Sequence, residues 1–154
     1  MFWLGSKAFV AGFFASLGFG VLFNIRGIKL IYAGFSGALG TLVYTLCIGW
    51  GYGIIFSNFL AAVCFSICCE VLARVCKTPV TTFLVCALIP LVPGGGMYRM
   101  MFAAIQEQID QALSIGLETL SIAGILVLGI LIVSTVAQSY FKIQRMLQKE
   151  RRSA

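Results

Sequence analysis

Five apolar stretches, separated by short polar or glycine- and proline-containing breaks, constrain this chain more than any other feature. A helix needs roughly 20 apolar residues to cross a bilayer, and three of the stretches have about that length. Apolar residues make up 60% of the 154 residues, against 11 basic and 5 acidic ones, which is too little charge for a water-soluble domain. The sequence therefore predicts an all-α, polytopic membrane protein that forms a single transmembrane domain over residues 1–154. The stretches are Phe9–Phe23 (starting at Phe2 if Lys7 snorkels), Leu30–Ile48, Ile54–Ala73, Val80–Val92 and Leu120–Phe141.

The fourth stretch differs from the others. It has thirteen residues, too few for a straight helix to cross, and it runs into Pro90, Pro93 and the glycines at 94–96. A broken backbone at membrane depth needs protein or a watery cavity to satisfy its polar groups, and in transporters such breaks often bind the substrate. We therefore expect a broken span or a re-entrant segment whose break is a candidate binding site. The alternative is an ordinary extracellular turn between two helices.

The residues that follow the break suit an anionic ligand. A helix starting near Tyr98 would direct its first amides at the break and, together with Arg99, would favour a carboxylate. We expect Gly94, Gly95 and Gly96 either to adopt backbone angles that other residues disfavour or to let a ligand approach the backbone closely.

The segment Arg99–Glu118 is predicted to be one amphipathic helix. Apolar side chains recur at steps of four, and polar side chains, among them Glu107 and Asp110, form the opposite face. This helix is either interfacial, with its polar side in water, or the polar wall of a translocation cavity.

Glu70 is an ionisable residue near the end of the third stretch. It lies four residues before Arg74, which is the spacing of a favourable helical ion pair. The spacing favours a local salt bridge. The alternative is a carboxylate that carries a proton, because ionisable groups within spans are usually functional.

The basic residues predict the orientation in the membrane. If all five stretches cross, nine basic residues fall on one side and two, Lys7 and Arg99, on the other. Basic residues near span ends mark the cytoplasm, so we expect a cell-membrane protein with its C-terminus inside. These residues lie beside the spans without interleaved aromatic residues, which favours contact with the lipid bilayer and predicts no nucleic-acid partner. The nine are Arg26, Lys29, Arg74, Lys77, Lys142, Arg145, Lys149, Arg151 and Arg152.

Small residues recur at every fourth position of the first two stretches. Such stripes let helix backbones approach closely in a bilayer. They indicate either packing among the helices of this chain or a surface for another membrane subunit. The stripes are Ala8, Gly12, Ser16 and Gly20 on the first stretch, and Ala33, Gly37 and Thr41 on the second.

The residue types argue against enzymatic chemistry. The chain has no histidine, and none of its six cysteines has the Cys-x-x-Cys spacing of a zinc or redox site. No paired carboxylate motif is present either. We therefore expect no catalytic residues, no metal and no cofactor.

Two motifs resemble the threonine/serine exporter family. Phe23, Asn24 and Ile25 end the first stretch, and the run Ile89–Gly94 (Ile-Pro-Leu-Val-Pro-Gly) is followed by Tyr98. The resemblance covers nearly the whole chain and is closest to the small subunit of the split, two-component members. The chain departs from the pattern at Ile25, since relatives can carry proline after the Phe-Asn pair.

The resemblance implies a secondary exporter of small carboxylate-bearing metabolites: threonine or serine in some members, a dicarboxylate such as succinate in others. It also implies a larger membrane subunit as partner and coupling to an ion gradient. The alternative is a non-transporting assembly or regulatory subunit. Glu107 or Asp110 would contact a substrate amino group or carry a proton, with Glu70 as a further candidate for the polar role. The expected substrate-binding residues are Pro90, Pro93, Gly94, Gly95, Gly96, Tyr98 and Arg99.

Overall fold

The chain folds as a bundle of α-helices. The computed structural model describes residues 2–153, with side chains from Trp3 to Lys142, and contains no strand within that range. The all-α prediction is therefore confirmed. The helices are α1 (Phe2–Leu22), α2 (Ile28–Gly49), α3 (Ile54–Val75), α4 (Val80–Leu88), α5 (Gly94–Ile105) and α6 (Ile109–Ser153), with a 3-10 turn at Ile89–Leu91 after α4.

Four helices, α1, α2, α3 and α6, are each long and apolar enough to cross a membrane. The segments Val80–Leu91 and Gly94–Ile105 pass the same test only together, and they meet at an angle of 50°. This agrees with five apolar segments, the fourth of them broken. The prediction placed the start of the last span at Leu120, whereas its helix begins at Ile109.

A helix follows the break, as predicted, but the prediction that one helix runs unbroken over Arg99–Glu118 is wrong. α5 ends at Ile105 and α6 begins at Ile109, so the two form an antiparallel hairpin. At the turn, Glu107 adopts a left-handed φ of 59°. The amides of Glu107 and Gln108 bond back to carbonyls of α5, which is the Schellman arrangement that ends a helix. Because the apolar steps of four continue across this turn, periodicity gave no sign of it.

The same helix ending recurs through the bundle. Asn24, Gly51 and Lys77 also have positive φ, of 57°, 87° and 48°, after α1, α2 and α3. Asn24 of the Phe-Asn motif also accepts a 3.0 Å hydrogen bond from Nε of Arg26. The motif therefore contributes a helix end and a tight turn into α2.

The small-residue stripes of α1 and α2 face each other. A side chain at Gly12 would clash with Thr41, and one at Gly37 would clash with Ser16. The Thr41 hydroxyl also donates a 3.0 Å hydrogen bond to the Ala8 carbonyl across this interface. Of the two interpretations of the stripes, the structure supports packing within the chain.

The helix α6 runs parallel to α3 and packs along it. A Cβ on Gly129 would come within 2.8 Å of the Ala62 side chain, so the two helices are in close contact there. Further along, the Arg74 guanidinium lies 3.6 Å from the centre of the Phe141 ring. The C-terminal end of α3 and the basic end of α6 thus lie at the same end of the bundle, as the charge pattern predicts. The side chains of Arg145, Lys149, Arg151 and Arg152 lie outside the described residues.

Candidate functional site

The broken segment lies inside the bundle, about halfway along its neighbours. Leu91 packs against Gly40 and Phe65, which are near the middle of α2 and α3. An extracellular turn beyond the helix ends would not make these contacts. The break is therefore at the depth of the helix midpoints, as the broken-span hypothesis requires.

A cavity of about 730 Å³ opens beside the break. It is lined by α1, α2, α3, α5 and α6 together with the run Pro90–Pro93. The wall combines small and branched apolar residues with polar ones. The polar lining residues are Thr41, Tyr44, Thr45, Asn58, Arg99, Glu118 and Thr119.

Backbone hydrogen bonds at the break are rerouted. Pro93 turns the chain at φ −77° and ψ 54°, which lets the Gly94 amide bond to the Val92 carbonyl at 2.7 Å. The amides of Gly96 and Met97 both bond to the Pro93 carbonyl. Among the first amides of α5, that of Gly95 has no backbone acceptor within the described residues. Gly95 lines the cavity, so its unpaired amide is a candidate donor to a ligand.

Two expectations about the glycines need correction. The helix after the break starts at Gly94, not near Tyr98. None of Gly94, Gly95 and Gly96 has a positive φ, so they do not need the angles that other residues disfavour. They form the first turn of a right-handed helix. Whether a side chain fits at each position therefore depends on the neighbouring residues in the fold.

Those neighbours differ along the run. A side chain at Gly96 would clash with the Thr119 hydroxyl of α6, whereas a Cβ on Gly95 or Gly94 would meet nothing within 4 Å. Gly96 therefore lets α5 approach α6 closely. Gly95 presents bare backbone to the cavity, and Gly94 is not among the lining residues.

Arg99 is on the cavity wall, and its side chain folds back towards the break. Its Nε donates a 3.2 Å hydrogen bond to the Gly95 carbonyl, which leaves the other N–H groups of the guanidinium for a ligand. Tyr98 does not join it. The Tyr98 ring is 69% exposed and stacks against Phe102, away from the cavity.

The acidic residues do not lie where the sequence analysis expected a site. Glu107 and Asp110 are exposed at the hairpin turn and line a separate, shallow pocket of the loop. Glu118, near the end of the predicted amphipathic segment, lines the cavity together with Arg99. The hairpin produces this arrangement, because it folds α6 back along α5.

Glu70 is buried and forms a salt bridge with Arg74. Arg74 also donates to the Glu70 main-chain carbonyl. The local-pair hypothesis thus holds. Glu70 lies twelve residues beyond Asn58 on α3, about 18 Å along a helix, and is not among the cavity residues.

Asn58 is a lining residue that the sequence analysis missed. It is only 4% exposed, and its Nδ2 donates a 2.9 Å hydrogen bond to the Ile54 carbonyl. The signal that could have identified it is the single carboxamide in a largely apolar stretch. Thr41 and Thr45 also went unnoticed as lining residues, and their hydroxyls donate to main-chain carbonyls.

A bundle of membrane-length helices around a broken helix, with a partly polar cavity that extends from the break towards the loop between α2 and α3, is typical of a membrane transport protein. Residues 8–136 match the model of the family described as threonine/serine exporter, ThrE. The chain belongs to this family. Comparisons with curated proteins and with solved structures give no match.

Proposed function

We propose that this chain lines the substrate pathway of a secondary exporter and that the cavity beside the break binds the substrate. The observation that carries the proposal is the position of Arg99 and the first turn of α5 on the wall of the cavity beside the break. Arg99 and the Gly95 amide bind the substrate carboxylate. A charge-assisted, two-bond contact of this kind contributes roughly 1.5–3 kcal/mol.

The substrate we propose is threonine or serine. Glu118 shares the cavity with Arg99, so an ammonium and a carboxylate each have a partner of opposite charge. A dicarboxylate such as succinate would place its second carboxylate in the field of Glu118, which opposes binding. We therefore assign the ammonium contact to Glu118 instead of Glu107 or Asp110.

Charge at membrane depth supports a partner subunit. Arg99 lies five residues into α5, about 8 Å from the break, and Glu118 lies level with it on α6. Half of a bilayer's hydrocarbon core is about 15 Å thick, and charges at such depth face water or protein. Both residues are exposed in the single chain. A larger subunit of the same family, covering the open side of the cavity, would complete their surroundings.

We further propose that the complex lies in the cell membrane with the C-terminus of this chain in the cytoplasm. The chain would then be one half of a two-subunit exporter, driven by an ion gradient. Liposomes that contain this chain alone should release no loaded threonine, and adding the partner should restore release. Full release from liposomes with this chain alone would refute the two-subunit arrangement.

The binding role is tested by substrate efflux with the partner present and membrane abundance measured in parallel. Arg99→Ala should weaken apparent substrate affinity about ten- to hundred-fold, because it removes the charge-assisted bonds to the carboxylate. Arg99→Lys keeps the charge but not the planar fork, so its effect should be intermediate. Arg26→Ala is a matched control, because Arg26 is exposed and lies outside the cavity wall. Unchanged affinity in Arg99→Ala would place the carboxylate site elsewhere.

A further inference from the structure

The side-chain oxygen of Asn58, a residue that is only 4% exposed, has no hydrogen-bond partner among the described residues. No donor among the described residues reaches Oδ1, because the hydrogen bond of this side chain to Ile54 uses its nitrogen. The hydroxyl oxygens of Ser16 and Ser66 also lack a partner, but they are completely buried in the protein. The Asn58 oxygen is not completely buried. Since Asn58 lines the cavity, its free acceptor faces the space where we place the substrate.

An acceptor in this position selects for a donor. The hydrogen bond from Nδ2 to the Ile54 carbonyl fixes the orientation of the carboxamide. The group that Asn58 offers to the cavity is therefore its oxygen, which can only accept a hydrogen bond. A ligand that displaces solvent from this oxygen without donating a hydrogen bond to it leaves the acceptor unsatisfied, and this weakens binding.

The other walls of the cavity carry a charged partner for each of the two charged groups of the substrate. The carboxylate has Arg99 on α5, and the ammonium has Glu118 on α6, where a charge-assisted bond is stronger than one to a neutral amide. Asn58 is on α3, a third wall. The ammonium has three N–H groups, and Glu118 is its charged partner, whereas the side-chain hydroxyl of threonine or serine is the donor group without a charged partner on the other walls.

We infer that Asn58 is a specificity-determining residue that accepts a hydrogen bond from the hydroxyl of the transported amino acid. The inference rests on the proposed function and adds to it the residue that distinguishes hydroxylated substrates from their apolar counterparts. Ile54 and Ile122, on the same cavity, provide apolar surface for the methyl group of threonine. Serine would bind through the same three polar contacts.

Threonine and valine form the decisive pair of probes, because they have nearly the same shape and differ by the hydroxyl. With the partner subunit present, wild-type protein should export threonine about tenfold more efficiently than valine, which is the effect of one hydrogen bond of ordinary strength. Asn58→Leu should bring this ratio close to one, mainly by reducing threonine export. Asn58→Ala should do the same and serves as the second variant if leucine lowers membrane abundance.

Ser57→Ala is the matched control. Ser57 is equally buried one residue away, and its hydroxyl donates to the Gly53 carbonyl without lining the cavity. This variant should keep the wild-type ratio. A wild-type protein that exports threonine and valine equally, or an Asn58 variant that keeps the preference, would overturn the inference. So would loss of both substrates alike at normal abundance, and so would export of succinate but of neither amino acid. The proposed carboxylate site fails independently, if Arg99→Ala exports normally.

Discussion

Replacing Gly96 by alanine tests whether α5 must lie against α6 for the site to form. The added Cβ would clash with the Thr119 hydroxyl, which is held by a 2.7 Å hydrogen bond to the Ile115 carbonyl. Thr119 is only 8% exposed, so it has little room to move. Overpacking of this kind costs about 1–3 kcal/mol, and the better helix propensity of alanine recovers up to about 1 kcal/mol.

The net loss of roughly 1–2 kcal/mol corresponds to a fall in Tm of about 2–8 °C for a chain of this length. Thermal melting of the purified protein in detergent measures it, with Gly95→Ala as the control because a Cβ there meets nothing within 4 Å. Gly95→Ala should melt at or slightly above the wild-type temperature. Combining Gly96→Ala with Thr119→Ala should restore much of the stability. Equal melting of the two single alanine variants would refute the reasoning.

Two further predictions concern the opposite end of the bundle. In a cysteine-free background, a cysteine at position 153 should be modified by an impermeant thiol reagent only after the membrane is opened, and modification from outside intact cells would reverse the proposed orientation. Glu70→Gln should lower the free energy of unfolding by roughly 1–2 kcal/mol. This is less than for a fully buried ion pair, because the Arg74 side chain is 32% exposed. The same variant should leave the apparent substrate affinity unchanged. An unchanged Tm together with slower transport would assign Glu70 the proton-carrying role instead.

The helical class and the span pattern could be predicted because they depend on long apolar runs. The stretches Leu30–Ile48 and Ile54–Ala73 lie within α2 and α3. In a bilayer, a helix satisfies the backbone N–H and C=O groups of such a stretch by hydrogen bonds within the same segment. The break could also be located, since Pro90 and Pro93 cannot continue an α-helix interior.

The turn at Glu107 could not be predicted. The Schellman ending usually uses glycine or asparagine at the left-handed position, and here a glutamate occupies it. Because of this turn, Glu107 and Asp110 lie at the hairpin end outside the cavity, whereas Glu118 lines it.

Contacts between distant segments explain the remaining differences. Thr119 leaves no room for a side chain at Gly96, whereas there is room for one at Gly95. This difference arises from the packing of α5 against α6, which residue spacing within one segment does not reveal. The place of Asn58 on the cavity wall likewise depends on how the helices pack. The sequence shows only that a single amide side chain lies in a largely apolar stretch.

The central claim is that substrate binds beside the break, and protection from thiol labelling tests it most directly. Gly95→Cys places a thiol on the cavity wall where nothing lies within 4 Å of its Cβ, while Tyr98→Cys places one on the exposed side of the same helix. Both variants are made in a cysteine-free background, with the partner subunit present. Threonine should slow labelling at position 95 in a concentration-dependent manner and leave position 98 unaffected. Labelling at position 95 that threonine does not change, or equal protection at both positions, would contradict the account.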